Sequence, residues 1–226
     1  MNKWHRCLTG MVCVWSACSV GGWAYENYEY FSKSQSLYGP TGNISSFSTK
    51  TLNRRQLCLG LHKFFIGIGY GIYEDVEIGL SWDLKQLTPL LPLDAASIER
   101  KKQEISFHSK LRMLKEERGD LFDLTLAQRR GAFYLIAGKL FESFKDLTFQ
   151  YGVAAEGDRY ESFFSLTRSL SYEQFICDYD PWEHRFNVGW RFLLSPEMKL
   201  DFFLTNCTEI KNIFFDNFVF GITITY

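Results

Sequence analysis

The chain reads as all-β: a closed antiparallel up-and-down transmembrane β-barrel of about twelve strands, with ten or eight as alternatives. Three observations lead there. The last ten residues, NFVFGITITY, alternate with period two. Phe218, Phe220, Ile222, Ile224 and Tyr226 fall on one face, and Asn217, Val219, Gly221, Thr223 and Thr225 on the other. An exposed apolar edge strand is an aggregation hazard in water, whereas in a transmembrane barrel the same strand closes the wall, apolar toward lipid and mostly polar toward the lumen. Second, period-two segments recur along most of the sequence, and beyond the first 24 residues no apolar run is long enough for a helical span. Third, aromatic residues make up 17% of the chain, with 21 Phe and 12 Tyr. Mean hydropathy is nevertheless only -0.16, as expected when alternate residues face lipid.

Residues 1–24 are expected to be a cleaved signal peptide. Lys3, His5 and Arg6 form a basic start, Cys7 to Val20 is uncharged and apolar or small, and Gly22-Trp23-Ala24 is a small-x-small site before Tyr25. The apolar run is short for an uncleaved anchor. Trp15 sits where a lipobox usually has Leu, which argues against a lipoprotein at Cys18. About 200 residues follow, enough for one domain. A net charge of -1 and a pI near 6.4 provide no basic field for nucleic acid. Cys58, Cys177 and Cys207 lie outside the signal, odd in number and widely spaced, so neither a disulfide framework nor zinc is supported. They are read as free thiols or as one bridge and one free thiol.

Residues 25–55 are polar and aromatic and are assigned to a periplasmic lead-in, with the barrel over 56–226. Leu57, Leu59 and Leu61 begin the alternation. Ile66, Ile68, Tyr70 and Ile72 then alternate with Gly67, Gly69 and Gly71. After the turn Tyr73 to Val76 come Ile78, Leu80, Trp82 and Leu84 opposite Glu77, Gly79, Ser81 and Asp83, the cleanest hairpin of the chain. Lys85 to Gln103, with Pro89 and Pro92, forms the longest connection. A second hairpin runs through Ile105 to Met113, the turn KEERGD, and Phe122 to Leu126. Further alternating segments lie near Ala132 to Leu140, Leu147 to Ala154, Tyr160 to Arg168, Tyr172 to Tyr179, His184 to Leu193 and Leu200 to Thr205. Counting back from the last strand in pairs sorts the turns YEDV, KEERGD, ESFKD and LSPEMK to the periplasmic side. The same count sorts the long segments Lys85 to Gln103 and Asn206 to Asp216 to the outside.

Two resemblances add to this reading. The terminal strand resembles the signature that the barrel-assembly machinery reads in bacterial outer-membrane barrels, and it carries that role here through Phe218, Phe220, Ile222, Ile224 and Tyr226. The run YGPTGNISSFSTKTLNRRQLCLGLHKF, ending in GIYEDVEIGLSW, resembles the opening of YjbH-like outer-membrane proteins, a group linked to exopolysaccharide export. Gly42, Ile44, Leu59, Gly60, His62, Gly71, Glu77 and Gly79 match, whereas Phe47 stands where a proline is usual. The resemblance covers about a quarter of the chain. It implies a barrel in the outer membrane of a Gram-negative bacterium, among outer-membrane lipid and lipopolysaccharide, with envelope polysaccharide as a further partner.

The lumen-facing register collects charges of both signs: Lys110, Arg112, Arg129, Arg185 and Arg191 against Glu77, Asp83, Asp123 and Asp201, with Glu104, Glu161 and Asp178 in the same set. A ring of one sign would indicate an ion-selective pore. Mixed signs in a narrow interior favour paired charges. His108 with Ser106 and Glu104 is the best local trio for catalysis, though side chains on one strand run parallel rather than converge. No metal-ligand spacing and no cofactor motif appears. The glycine alternation at Gly67, Gly69 and Gly71 is not a phosphate loop, since no helix follows it; it reads as a close-packed or curved strand. The role expected is a small porin-like or structural envelope barrel. The alternatives are a lipid-modifying outer-membrane enzyme and a soluble, lipocalin-like periplasmic binder with an apolar interior.

Overall fold

The structure, a computed structural model, describes residues 28–84, 105–141, 147–180, 182, 184–208 and 217–226. The expected signal peptide, Glu104 and the connections over 85–103 and 142–146 lie outside these residues. Twelve strands follow a short helix, α1 (Tyr28–Ser32): β1 Leu57–His62, β2 Phe65–Tyr73, β3 Val76–Asp83, β4 Ile105–Leu114, β5 Asp123–Arg129, β6 Ala132–Phe141, β7 Leu147–Glu156, β8 Arg159–Ser169, β9 Glu173–Asp180, β10 Arg185–Leu193, β11 Met198–Leu204 and β12 Phe218–Thr225. Each pairs antiparallel with its sequence neighbour. β12 pairs with β1 through Cys58↔Thr225 to His62↔Gly221, so the barrel is closed.

Turns of two residues set the register where the sequence offers no Gly-Pro marker. Lys63 adopts φ 43° between β1 and β2, and Arg130 with Gly131 adopts φ 51° and 84° between β5 and β6. The break after β8 is one residue longer, closed by the Leu170 N–H donating to Glu173 O at 2.7 Å. The turns after β2, β4, β8 and β10 lie at the same end as Tyr226, here the terminal end. Those after β1, β5 and β7, with residues 205–208, lie at the far end.

Alternation sorts the wall. Ile68, Leu80, Phe107, Leu135, Phe149 and Phe220 are exposed on the outer surface. Their strand neighbours Glu77, His108, Lys110, Gln150, Asp178 and Asp201 are buried within. This is the opposite of what a lipocalin-like binder needs. The outer apolar groups of β8 to β12 are largely aromatic and pack on one another; Phe175 and Trp190 stack at 5.0 Å, and Phe202 meets Phe220 edge-on at 5.3 Å.

The assignment of residues 25–55 to a lead-in outside the barrel is corrected over its described part. Residues 34–52, apart from half-buried Tyr38, are buried, and they lie against the inner wall. The physical reason is room. A barrel of eight strands is about filled by its own side chains, and one of twelve is wider, which leaves a centre with space for the segment.

Candidate functional site: the interior segment and its wall

Residues 31–52 rise from the terminal end to the far mouth at Leu37 and Tyr38, come back at Thr41 to Glu77 and the Lys50 carbonyl, rise again to Ser45 and return. At the start the Cys58 thiol contacts Lys33 O at 3.6 Å beside Thr225. At the return Lys50 pairs with Glu117 in the β4–β5 turn and lies 3.1 Å from Asp123. Between them Leu37, Tyr38 and Ser45 form part of a cavity of about 230 Å³ at the far mouth, whose lining includes Lys63, Arg130, Asp180 and the sequence-predicted Asp83 and Arg185. Tyr38 packs edge-on against Phe65 with ring centres 5.4 Å apart.

The segment forms no strand of its own beyond two isolated bridges, Gln35↔Thr41 and Gly42↔Phe47. Its backbone donors and acceptors therefore need partners from the wall, and charged wall side chains supply them. Asp178 Oδ2 accepts from the N–H groups of Ile44, Ser45 and Ser46 at 3.0, 2.7 and 3.1 Å, while Asn187 donates to Oδ1 at 2.9 Å. Glu77 accepts from Thr41 N at 2.9 Å, Thr41 Oγ1 at 2.6 Å and Leu52 N at 3.2 Å. Lys110 Nζ donates to Thr41 O at 2.9 Å and to Lys50 O. Arg191 donates through Nη2 to Gln35 O at 2.9 Å and through Nε to Asp201 Oδ1 at 2.5 Å, and His62 Nε2 lies 2.7 Å from Asp201 Oδ2. Charge-assisted bonds of this kind are stronger than neutral ones and fix geometry.

Apolar contacts complete the fit. Leu37 and Ile44 join Ile176, Phe203 and Val219 in one buried cluster. Phe47 joins Ala127, Tyr134, Ile136 and Phe163 in another. The Arg129 guanidinium lies 4.6 Å from the Tyr38 ring centre and 5.7 Å from that of Phe47. The glycine ladder of β2 has its reason here. A methyl at Gly71 would lie 1.9 Å from Asn53 O, and one at Gly67 would lie 2.6 Å from Gly39 Cα.

Among the sequence-predicted residues, Glu77, Lys110, Arg112, Asp123, Arg191 and Asp201 meet the segment or one another inside the barrel, and Arg112 pairs with Asp123. Asp83 and Arg185 stand apart at the far mouth. Two members of the catalytic trio lie among the described residues. Glu104 is outside the described residues. His108 and Ser106 are both buried on the inner face of β4, and the Ser106 hydroxyl makes no hydrogen bond. His108 Nε2 lies 3.6 Å from Glu77 Oε1. Among the described residues no group of three or more His, Cys, Asp and Glu could hold a metal.

The charge cluster at the terminal end brings Glu117 against Lys50 and Arg112. Burial pushes the Glu117 carboxyl up, but hydrogen bonds and charge from Lys50 and Arg112 outweigh it and hold the pKa near 2, against the ordinary 4.5. A depressed carboxylate stabilises the fold above its ordinary pKa and loses that contribution as pH falls through the folded value. The Glu117→Gln variant is therefore expected to differ from wild type in urea midpoint at pH 7, with the gap closing from about pH 4.5 to 2. A gap unchanged at pH 2 would refute this coupling.

Sequence reasoning missed Gln35 of the segment, which donates to Cys58 O, and on the wall Asn187, which donates to Ser45 Oγ, and Lys199, which donates to Thr225 Oγ1. It also missed the inward apolar residues Ile176, Phe203, Tyr134 and Phe163. A signal for these existed: at Phe163-Phe164 and Phe202-Phe203 both faces of the strand are aromatic, which breaks the polar-inward rule. No protein-family model matches the chain, and no curated protein matches it. The fold and interior therefore define the class by themselves: a closed twelve-stranded barrel whose centre is occupied by its own preceding segment.

Proposed function

We propose that this protein is an outer-membrane β-barrel of a Gram-negative bacterium, exported by a cleaved signal peptide. In this reading it is an envelope barrel of porin-like architecture, occluded in its resting state. The observation that carries this is the sorting of side chains around a closed barrel. Apolar residues cover the outside over the whole circumference, and charges crowd the inside. A soluble monomer rarely exposes an apolar patch larger than a few hundred Å², whereas lipid makes the same surface favourable. Outer-membrane lipid and lipopolysaccharide then contact the outer wall, and the barrel-assembly machinery engages β12. On the resemblance of residues 38–82 to YjbH-like proteins, the barrel works beside envelope polysaccharide. Of the residues that carry this resemblance, Gly42, Ile44, Gly71 and Glu77 stand where segment and wall meet.

The test is behaviour in detergent and membranes. The mature protein is expected in the outer-membrane fraction, migrating faster on a gel unheated than boiled. A mature protein that stays monomeric in buffer without detergent would overturn the reading.

A further inference from the structure

We propose that residues 31–52 are a displaceable plug, withdrawn through the terminal end, and that the barrel conducts small hydrophilic solutes of either charge when the plug is out. The inference rests on the transmembrane reading above. Its first support is topology. Lys33 sits beside Cys58 and Thr225, and Lys50 sits beside Glu117; both ends of the segment therefore leave by one mouth. Its two bends, at Leu37 and Tyr38 and at Ser45, reach the lining of the other mouth. A segment so placed can slide out without threading.

The second support is how charge is divided. The segment itself contributes Lys33 and Lys50 as its charged side chains and is otherwise rich in hydroxyls, with Ser34, Ser36, Thr41, Ser45, Ser46 and Thr49 among them. The wall keeps charge pairs of its own: Asp201 with Arg191 and His62, and Arg112 with Asp123, which also lies 3.1 Å from Lys50 of the segment. Departure of the plug thus exchanges its hydrogen bonds for bonds to water, a nearly balanced exchange, and leaves a wall already largely neutralised. Leu37, Ile44 and Phe47 are the large apolar side chains that hold the returning arc in place. The exposed wall would carry Glu77, Asp178 and Asp201 with Lys110, Arg112 and Arg191, so permeability to potassium and chloride should be close to equal.

The test uses a cross-link. Asn43 Nδ2 donates to Ser165 Oγ at 2.6 Å across the plug–wall interface, so Asn43→Cys with Ser165→Cys, in a background where Cys58, Cys177 and Cys207 are Ser, places two thiols in reach. The oxidised protein in a planar bilayer should be silent, and dithiothreitol should bring discrete steps under applied voltage. Deletion of residues 31–52 should give steady conductance in protein that still shows heat-modifiable migration. Equal steps before and after reduction overturn the proposal, as do no steps after reduction or a folded deletion variant that stays silent. Protein that fails to float with lipid vesicles overturns the transmembrane reading and this inference with it. Protein that floats but never conducts overturns this inference alone.

Discussion

Asp178→Ala is expected to free the turn of the interior segment while the barrel stays closed. In the native fold one carboxylate oxygen accepts three successive backbone N–H groups, from Ile44, Ser45 and Ser46, and both serine hydroxyls also reach the carboxylate. Removing it orphans those donors in a buried place, at about 1–3 kcal/mol for each donor before water repays part. A net loss of about 3 kcal/mol in holding the segment is the expectation. That corresponds to roughly a hundredfold faster protease cutting within residues 31–52, if cutting follows local opening. The wall should be spared, because β9 keeps its ladder with β8 and β10 from Asp178↔Ser165 and Asp178↔Asn187 outward. Heat-modifiable migration should therefore persist. Asp178→Asn keeps one acceptor oxygen and should fall between the two. A protease pattern in Asp178→Ala equal to wild type would mean that the carboxylate does not hold the segment.

The wall was legible in the sequence and its contents were not, for one physical reason. Alternation between the outer and inner faces of a closed barrel leaves a period-two trace along its strands, so β3, β10 and β12 can be read residue by residue. Even the end to which each turn belongs follows from pairwise counting, as the YEDV and KEERGD turns illustrate. The segment 31–52 has neither period two nor period 3.6, because its backbone is satisfied by side chains far away in sequence, such as Asp178, more than 130 residues on. Nothing local marks such a partner. The charges of the lumen were visible as a mixed set, which suggested pairing across the wall. Arg191 with Asp201 does this, but Glu77, Lys110 and Asp178 spend their hydrogen bonds on the segment's main chain instead. Two residues of the catalytic alternative lie in the same interior. His108 and Ser106 share a strand face, as the spacing requires, but that face is covered.

The glycine ladder separates a packed interior from a merely curved strand, and substitutions there carry a graded expectation. Gly71→Ala puts a methyl 1.9 Å from Asn53 O and 2.8 Å from Asn53 C, atoms of backbone that also receives the β2 register through Arg55 N–H to Gly71 O at 2.7 Å. Backbone on both sides leaves no flexible end to give way, so the departing chain must shift. Overpacking of this kind costs about 1–3 kcal/mol, and this site should reach the top of that range. Two positions back along the same face, Gly69→Ala meets Leu52 Cδ1 at 3.2 Å, the far end of a side chain that can rotate. Its effect should stay within about 1 kcal/mol. Both changes add the same methyl, to the same strand, with the same gain in strand propensity. Curvature of β2 alone would make them equal. Urea midpoints of the folded band on unheated gels, which should fall well below wild type for Gly71→Ala and stay near it for Gly69→Ala, decide between the two accounts. Equal midpoints would remove the packed segment as the reason for the glycines.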